Sequence, residues 1–360
     1  MTDNKHKRIL IRADGSKAIG FGHLVRCSNL AQELQKLGWE IKFLTAEPDA
    51  MVKRFFKTQN LDIVSVSASP EKINAETHLK VLNKFDAKIT ILDSYSIDDE
   101  YRLNLKKADI KVIAVDDVYS HYSHADIVIN HNLSCDVSKY GDFKGSLLAG
   151  TEYALLRSEY GELKRRRRGK VPNIMVVMGG SDNKNQRSRV VNILDKMRWD
   201  FTITFVSGFY ALDKGVTGSG NKKLDLSNKS GWSHECRFIG RTEDFPSLVS
   251  NCDAAITAGG VTTMELAAVG IPFMIIMTDK LQLENALAWK KSGCAMYAGD
   301  ADKLNNYDIK TAMTEFLSNI SNWSKMGNLG RRLVDGKGAA RTAKELNELL
   351  VNKPKKKSDG

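Results

Sequence analysis

The chain has 360 residues, enough for two domains, and its 42% hydrophobic and 27% charged residues are those of a globular protein with ample apolar material for two cores, which excludes a disordered chain. A formal net charge of +11 points to nucleic acid or a membrane surface only if the cations share one face. They cluster instead at Lys5, Lys7 and Arg8, at Lys164 to Arg168 with Lys170, and at Lys353 with Lys355 to Lys357, so the remainder is close to neutral and no nucleic-acid partner is expected.

In chain order, short apolar runs alternate with helical patterns, which predicts an α/β protein of two Rossmann-like domains facing a central cleft. RILIRA (8–13) reads as the first strand. His23 to Leu37 follows as a helix, with Leu24, Cys27, Leu30, Ala31, Leu34 and Leu37 spaced by three and four and Gly38 as the stop. EIKFL, DIVSV, KITIL, IKVIAV and DIVIN continue as strands, placing the first domain at 1–160. The charged GELKRRRRGKVPN lacks apolar periodicity and is expected to link the domains over 161–172. The pattern restarts with IMVVM (174–178), a glycine turn, the helical NQRSRVVNILDKM and the strand FTITFV, and later DAAIT and PFMIIM flank the helix VTTMELAAV. The second domain is placed at 173–350 and a basic tail at 351–360. A Gly, Ser, Asn and Lys-rich stretch between Tyr210 and Glu235 is expected to be a long surface excursion, and GRRLVDGKGAARTAKELNELL a terminal helix or pair broken near Gly336 and Gly338.

Five scattered cysteines (Cys27, Cys135, Cys236, Cys252, Cys294), odd in number and never spaced as CxxC, argue against a disulfide framework or a zinc site. No cofactor or metal is expected. The first residues lack the apolar core of a signal peptide, and no run approaches the roughly 20 residues of a membrane span. A cytoplasmic monomer without stable membrane insertion is the expectation.

Ligands of parallel sheets bind beyond the carboxyl ends of the strands, where three stretches stand out. In RADGSKAIGFGHLVRC, Gly20 and Gly22 allow close backbone approach, and His23 falls at the positive start of a helix, which favours a neutral imidazole able to act as general base. Arg12, Asp14 and Arg26 lie near the same loop and are candidates to orient the base or the substrate. The loop lacks the Gly-Lys-Ser/Thr of a phosphate-binding loop, and Val25 stands where the dinucleotide fingerprint needs a small residue. In MGGSDNKNQ, Gly180 and Ser181 open a second helix with free amides for phosphate, or form an ordinary capped turn. In AITAGGVTTMELAAVG, Gly259 and Gly260 turn the chain, Thr262 and Thr263 offer hydroxyls and amides suited to a diphosphate, and Glu265 suits a ribose diol. Gln282 and Asn285 follow on the next helix start.

The stretches IGFGHLVRCSNLAQEL, LDSYSID, VDD, LLAGTEYALLRSEY, MGGSDNKN, AGGVTTMELAAVGIP and VDGKGAARTAKEL, in this order over nearly the whole chain, resemble the UDP-2,4-diacetamido-2,4,6-trideoxy-β-L-altropyranose hydrolases of pseudaminic acid biosynthesis. The AGG…T…E pattern alone also resembles GT-B glycosyltransferases that use UDP-sugars. The resemblance implies metal-independent hydrolysis of a UDP-sugar with inversion at the anomeric carbon, releasing UDP. His23 is then the general base, Asp14, Arg26 and Tyr95 line the sugar pocket, and Asp93 and Asp116 are candidates that serve equally well as caps or turn formers. The basic linker, the polar excursion and the lysine-rich tail depart from the family pattern. A UDP-sugar glycosyltransferase is the alternative enzyme; a nonenzymatic UDP-sugar sensor is separated from both by whether His23→Ala abolishes turnover while leaving UDP affinity intact.

Overall fold

The computed structural model describes residues 7–120, 122–166, 169–179, 186–207, 233–240 and 244–351. The chain divides into two compact units, Met1–Gly15 with His23–Ser158 and Lys337–Gly360, and Ser16–Gly22 with Glu159–Gly336. Each is a parallel sheet with helices, the Rossmann-like α/β architecture expected.

The first sheet has seven strands among the described residues: β1 (Arg8–Ala13), β2 (Glu40–Ala46), β3 (Asp62–Val66), β4 (Ile89–Asp93), β5 (Lys111–Val115), β6 (Ile127–Asn130) and β7 (Ser146–Ala149), in the order β3-β2-β1-β4-β5-β6-β7. The near-continuous apolar runs of β1, β4, β5 and β6 bury almost every residue, as strands covered on both faces require. The order reverses between β1 and β4, which pair in parallel from Ile9↔Ile89 to Ala13↔Asp93. Local chemistry sets the helices. Asp49, Asn74 and Asp98 cap α2 (Ala50–Gln59), α3 (Ala75–Phe85) and α4 (Asp99–Lys107) by accepting first-turn amides. α1 (Gly22–Lys36) buries Leu24, Cys27, Leu30, Ala31 and Leu34 of the stripe that its spacing predicts, while Leu37 falls past the helix end and is exposed.

Among the described residues the second sheet has six strands: β8 (Asn173–Val177), β9 (Thr202–Val206), β10 (Cys236–Ile239), β11 (Ala254–Thr257), β12 (Phe273–Met277) and β13 (Ala295–Asp300), in the order β10-β9-β8-β11-β12-β13. Its helices are α5 (Gln186–Asp195), α6 (Phe245–Ser250), α7 (Thr262–Val269), α8 (Leu283–Ser292), α9 (Asn306–Ser318) and α10 (Trp323–Leu333). Ile174, Val176, Val190, Ile203, Ile256, Met274, Phe316 and Trp323 form its core.

Two segments differ from the reading of the sequence. The terminal helix pair breaks near Gly336 and Gly338 as expected, but α11 (Gly338–Val351) counts with the first unit, although the sequence reading assigns 173–350 to the second. The absence of a side chain at Gly338 allows this: a methyl group there would stand 2.3 Å from the Ala154 nitrogen. Part of the basic linker is anchored, with the Arg166 N–H donating to Ser250 O at 3.0 Å and Arg165 lying 3.5 Å from Asp253. Most of the polar excursion and nearly all of the basic tail lie outside the described residues. Among the described residues, no helix is long and apolar enough to cross a membrane.

Candidate active site

The strands of the first sheet end on polar side chains that meet one another. β4 ends at Asp93, β5 is followed by Asp116 and Asp117, and β6 by His131, while α1, after β1, carries His23 in its first turn. His23 Nδ1 lies 2.6 Å from Asp93 Oδ1. Arg26, three residues along α1, grips the same carboxylate with Nε to Oδ2 at 2.7 Å and Nη2 to Oδ1 at 2.6 Å, and its Nη1 donates to Asp117 Oδ2 at 2.8 Å. Tyr95 OH donates to Asp117 Oδ1 at 3.0 Å, and its ring stands edge-on to that of His23 with centroids 4.9 Å apart.

Burial acts to raise the Asp93 carboxyl, but the charges and hydrogen bonds of Arg26 and His23 outweigh it and hold the group well below the usual carboxylate range. An ionised carboxylate 2.6 Å from a ring nitrogen requires the proton between them. His23 therefore carries its N–H on Nδ1, and the lone pair of the neutral ring is on Nε2. Arg26 Nη2, 3.1 Å from Nδ1, is a neighbour bound to the shared Asp93 oxygen, since a protonated Nδ1 accepts nothing. Nε2 makes no hydrogen bond among the described residues, and a tenth of the side chain stays exposed. Asp117 behaves like Asp93: burial raises its carboxyl, and Arg26 more than offsets this. His131 is pushed down to about 4, first by burial and then by Arg26, and its Nδ1 accepts the Leu155 N–H at 3.1 Å.

Of the residues singled out in the sequence, His23, Arg26 and Tyr95 come together. Asp14 does not join them: it pairs with the fully buried Arg12, accepts the Ala46 N–H at 2.8 Å and takes the Ser94 hydroxyl at 3.3 Å. His23 is oriented by Asp93, not by Arg12 or Asp14. Gly20, at φ +84°, closes a turn with its N–H on Ser16 O at 2.7 Å, and Gly22 opens α1. Asp93 and Asp116 part company: Asp93 holds His23, while Asp116 accepts the Val118 and Ser120 amides as a turn former. Sequence reasoning did not single out Asp117 and His131; their signal was the polar residue just past a strand, in VDD and INHN.

In the second unit β11 runs through a turn at Gly259 and Gly260 into α7. The amides of Gly260, Val261 and Thr262 meet no acceptor among the described residues, which leaves three donors at a positive helix end. Thr262 opens the helix, but Thr263 is fully buried and its hydroxyl donates to Gly260 O at 2.7 Å, so it shapes the turn. Glu265 accepts from Tyr160 OH at 2.9 Å. Gln282 Oε1 accepts the Thr278 N–H at 3.2 Å, and Asn285 Nδ2 donates to Gly259 O at 3.3 Å, leaving its buried Oδ1 without a partner among the described residues. Gly180 and Ser181 lie outside the described residues.

Residues 174–330 match the family model described as the glycosyltransferase family 28 C-terminal domain. Over 95% of its length the chain superposes on 99% of MurG from Acinetobacter baumannii, with a TM-score of 0.67 at 15% identity. The fold is of the GT-B type. Among relatives by sequence, an uncharacterized protein of Methanocaldococcus jannaschii is 26% identical over 77% of the chain, which spans 57% of that relative's length. The spore coat polysaccharide biosynthesis protein SpsG of Bacillus subtilis is 25% identical over 94% of this GT-B chain and 97% of its own. The UDP-2,4-diacetamido-2,4,6-trideoxy-β-L-altropyranose hydrolase of Campylobacter jejuni is 29% identical over 53% of the chain and 67% of its own length.

Proposed function

We propose that the protein is a UDP-sugar hydrolase in which His23 is the general base, with a diacetamido-trideoxy-hexose as the sugar. What supports the reading most is the 2.6 Å pairing of His23 with a carboxylate that stays ionised, because it puts the free lone pair on Nε2. In the proposed step Nε2 takes a proton from water as the water oxygen bonds to the anomeric carbon. The bond from that carbon to the diphosphate breaks with its electron pair leaving on UDP, and the configuration inverts. Asp93 keeps the tautomer fixed and stabilises the imidazolium as it forms. The amides of Gly260, Val261 and Thr262 are assigned to the diphosphate and Glu265 to the ribose.

The family 28 match and the MurG-like fold favour a second reading, transfer of the sugar to an acceptor. Both are tested by UDP release from the diacetamido-trideoxy-altrose substrate and from UDP-N-acetylglucosamine, with EDTA and without acceptor. Release from the first, abolished by His23→Ala with UDP affinity retained, is the expected outcome. Binding of UDP without release from either substrate sinks the hydrolase and favours transfer.

A further inference from the structure

Arg26 joins two carboxylates. Its side chain is 5% exposed, and all three of its nitrogens are committed, two to Asp93 and one to Asp117. Asp117 in turn accepts from both neighbours: Oδ2 takes Arg26 Nη1 at 2.8 Å, and Tyr95 OH lies 3.0 Å from Oδ1 and 3.2 Å from Oδ2. One carboxylate therefore fixes both the guanidinium that clamps Asp93 and the ring that stands edge-on to His23. Asp117 makes no direct hydrogen bond to His23 among the described residues, so its influence passes through these two side chains and through its charge.

We propose that Asp117 is a positioning residue for His23, setting the geometry of the His23–Asp93 pair through Arg26 and the place of the Tyr95 ring, and biasing the imidazole toward its protonated form by its charge. The inference deepens the hydrolase reading and rests on it for its catalytic meaning, though not for its geometry. The charged and titratable groups around His23 are Asp93 from β4, Arg26 from α1, Tyr95 from the turn after β4, Asp117 after β5 and His131 after β6, the last reaching it through Arg26 Nη1 at 3.5 Å. Replacing Asp117 by asparagine removes one negative charge from this set and keeps the shape. The protonated ring is then less favoured, by about one pH unit for a unit charge lost beside a part-buried site.

The test is Asp117→Asn beside Tyr95→Phe and wild type, read in two ways. Imidazole ¹⁵N shifts followed against pH should show the His23 midpoint about one unit lower in Asp117→Asn and little changed in Tyr95→Phe, which keeps the charge. In the same variant the acid limb of kcat/KM for UDP release should move down by a similar amount, with kcat lowered about tenfold and KM nearly unchanged. An unmoved midpoint in a folded Asp117→Asn protein overturns the inference, whatever the turnover. A moved midpoint in a protein that releases no UDP as wild type overturns the hydrolase reading and leaves Asp117's role standing.

Discussion

His23 and Asp93 lie 70 residues apart, and their pairing does more than hold a ring in place. The carboxylate decides which nitrogen carries the proton, so its replacement by asparagine tests the tautomer. The side-chain amide can turn either its oxygen or its NH₂ toward Nδ1, and Arg26 is left gripping a neutral group. On the proposed hydrolase reading, Asp93→Asn is expected to lower kcat for UDP release by about 10²–10⁴-fold with UDP affinity within a factor of two or three. Equal losses of kcat and UDP affinity would mean that Asp93 supports the fold and not a catalytic role of His23. Asp93 also contributes to stability, since its carboxyl is depressed in the fold. That contribution is complete above the unfolded value of about 3.9 and is lost as the pH falls toward the folded one, so the substitution is destabilising at neutral pH.

At the scale of elements, α7 and α10 touch through glycines. A methyl group on Gly327 would stand 2.0 Å from the Gly270 carbonyl oxygen, and one on Gly330 3.0 Å from Ala267 Cα. Gly327→Ala must push the helices apart and is expected to lower stability by about 1–3 kcal/mol, measured by urea denaturation. Gly260 contrasts with it: nothing lies within 4 Å of the position a methyl group would take. Gly260→Ala should keep stability within about 0.5 kcal/mol. If a diphosphate lies against the Gly260 Cα, the methyl group filling that space should nonetheless lower UDP affinity about tenfold or more, by holding the phosphate off the turn amides; unchanged affinity would show that the diphosphate does not approach Gly260. The same elements show what the sequence made legible. Apolar runs exposed β1, β4 and β12, and the stripe from Leu24 to Leu34 exposed α1, because burial on a fixed period leaves a mark in the chain itself. β13 left no such mark, being half-buried along most of its length and kinked at Gly299, φ +134°. His23 was legible from its glycine loop, but Asp117 reaches Arg26 across 91 residues, and no spacing rule spans that distance.

At the scale of the molecule, the first unit holds two histidines fully away from water among the described residues. His78 Nε2 lies 3.0 Å from Thr90 Oγ1, which itself donates to Leu10 O at 2.8 Å, so Nε2 is the donor to Thr90 and Nδ1 accepts from Tyr101 OH at 2.8 Å. Burial, and then Arg12, push His78 down to about 3, as burial and Arg26 push His131 down to about 4. Both values lie below the unfolded value of about 6.5, so between roughly pH 6.5 and pH 4 the unfolded chain binds protons that the folded chain does not. Stability therefore falls as the pH drops through this window, by about 1.4 kcal/mol per unit for each histidine, or about 2 kcal/mol each from pH 7 to pH 5. His131→Asn tests the share of one group, since its side-chain oxygen can still accept the Leu155 N–H. The variant should be less stable than wild type at pH 7 and lose about 2 kcal/mol less on acidification to pH 5, as read by urea denaturation at both values. Parallel losses in the two proteins would show that His131 takes up its proton without unfolding, and that the sheet end around Arg26 and Asp117 opens to water at mildly acid pH.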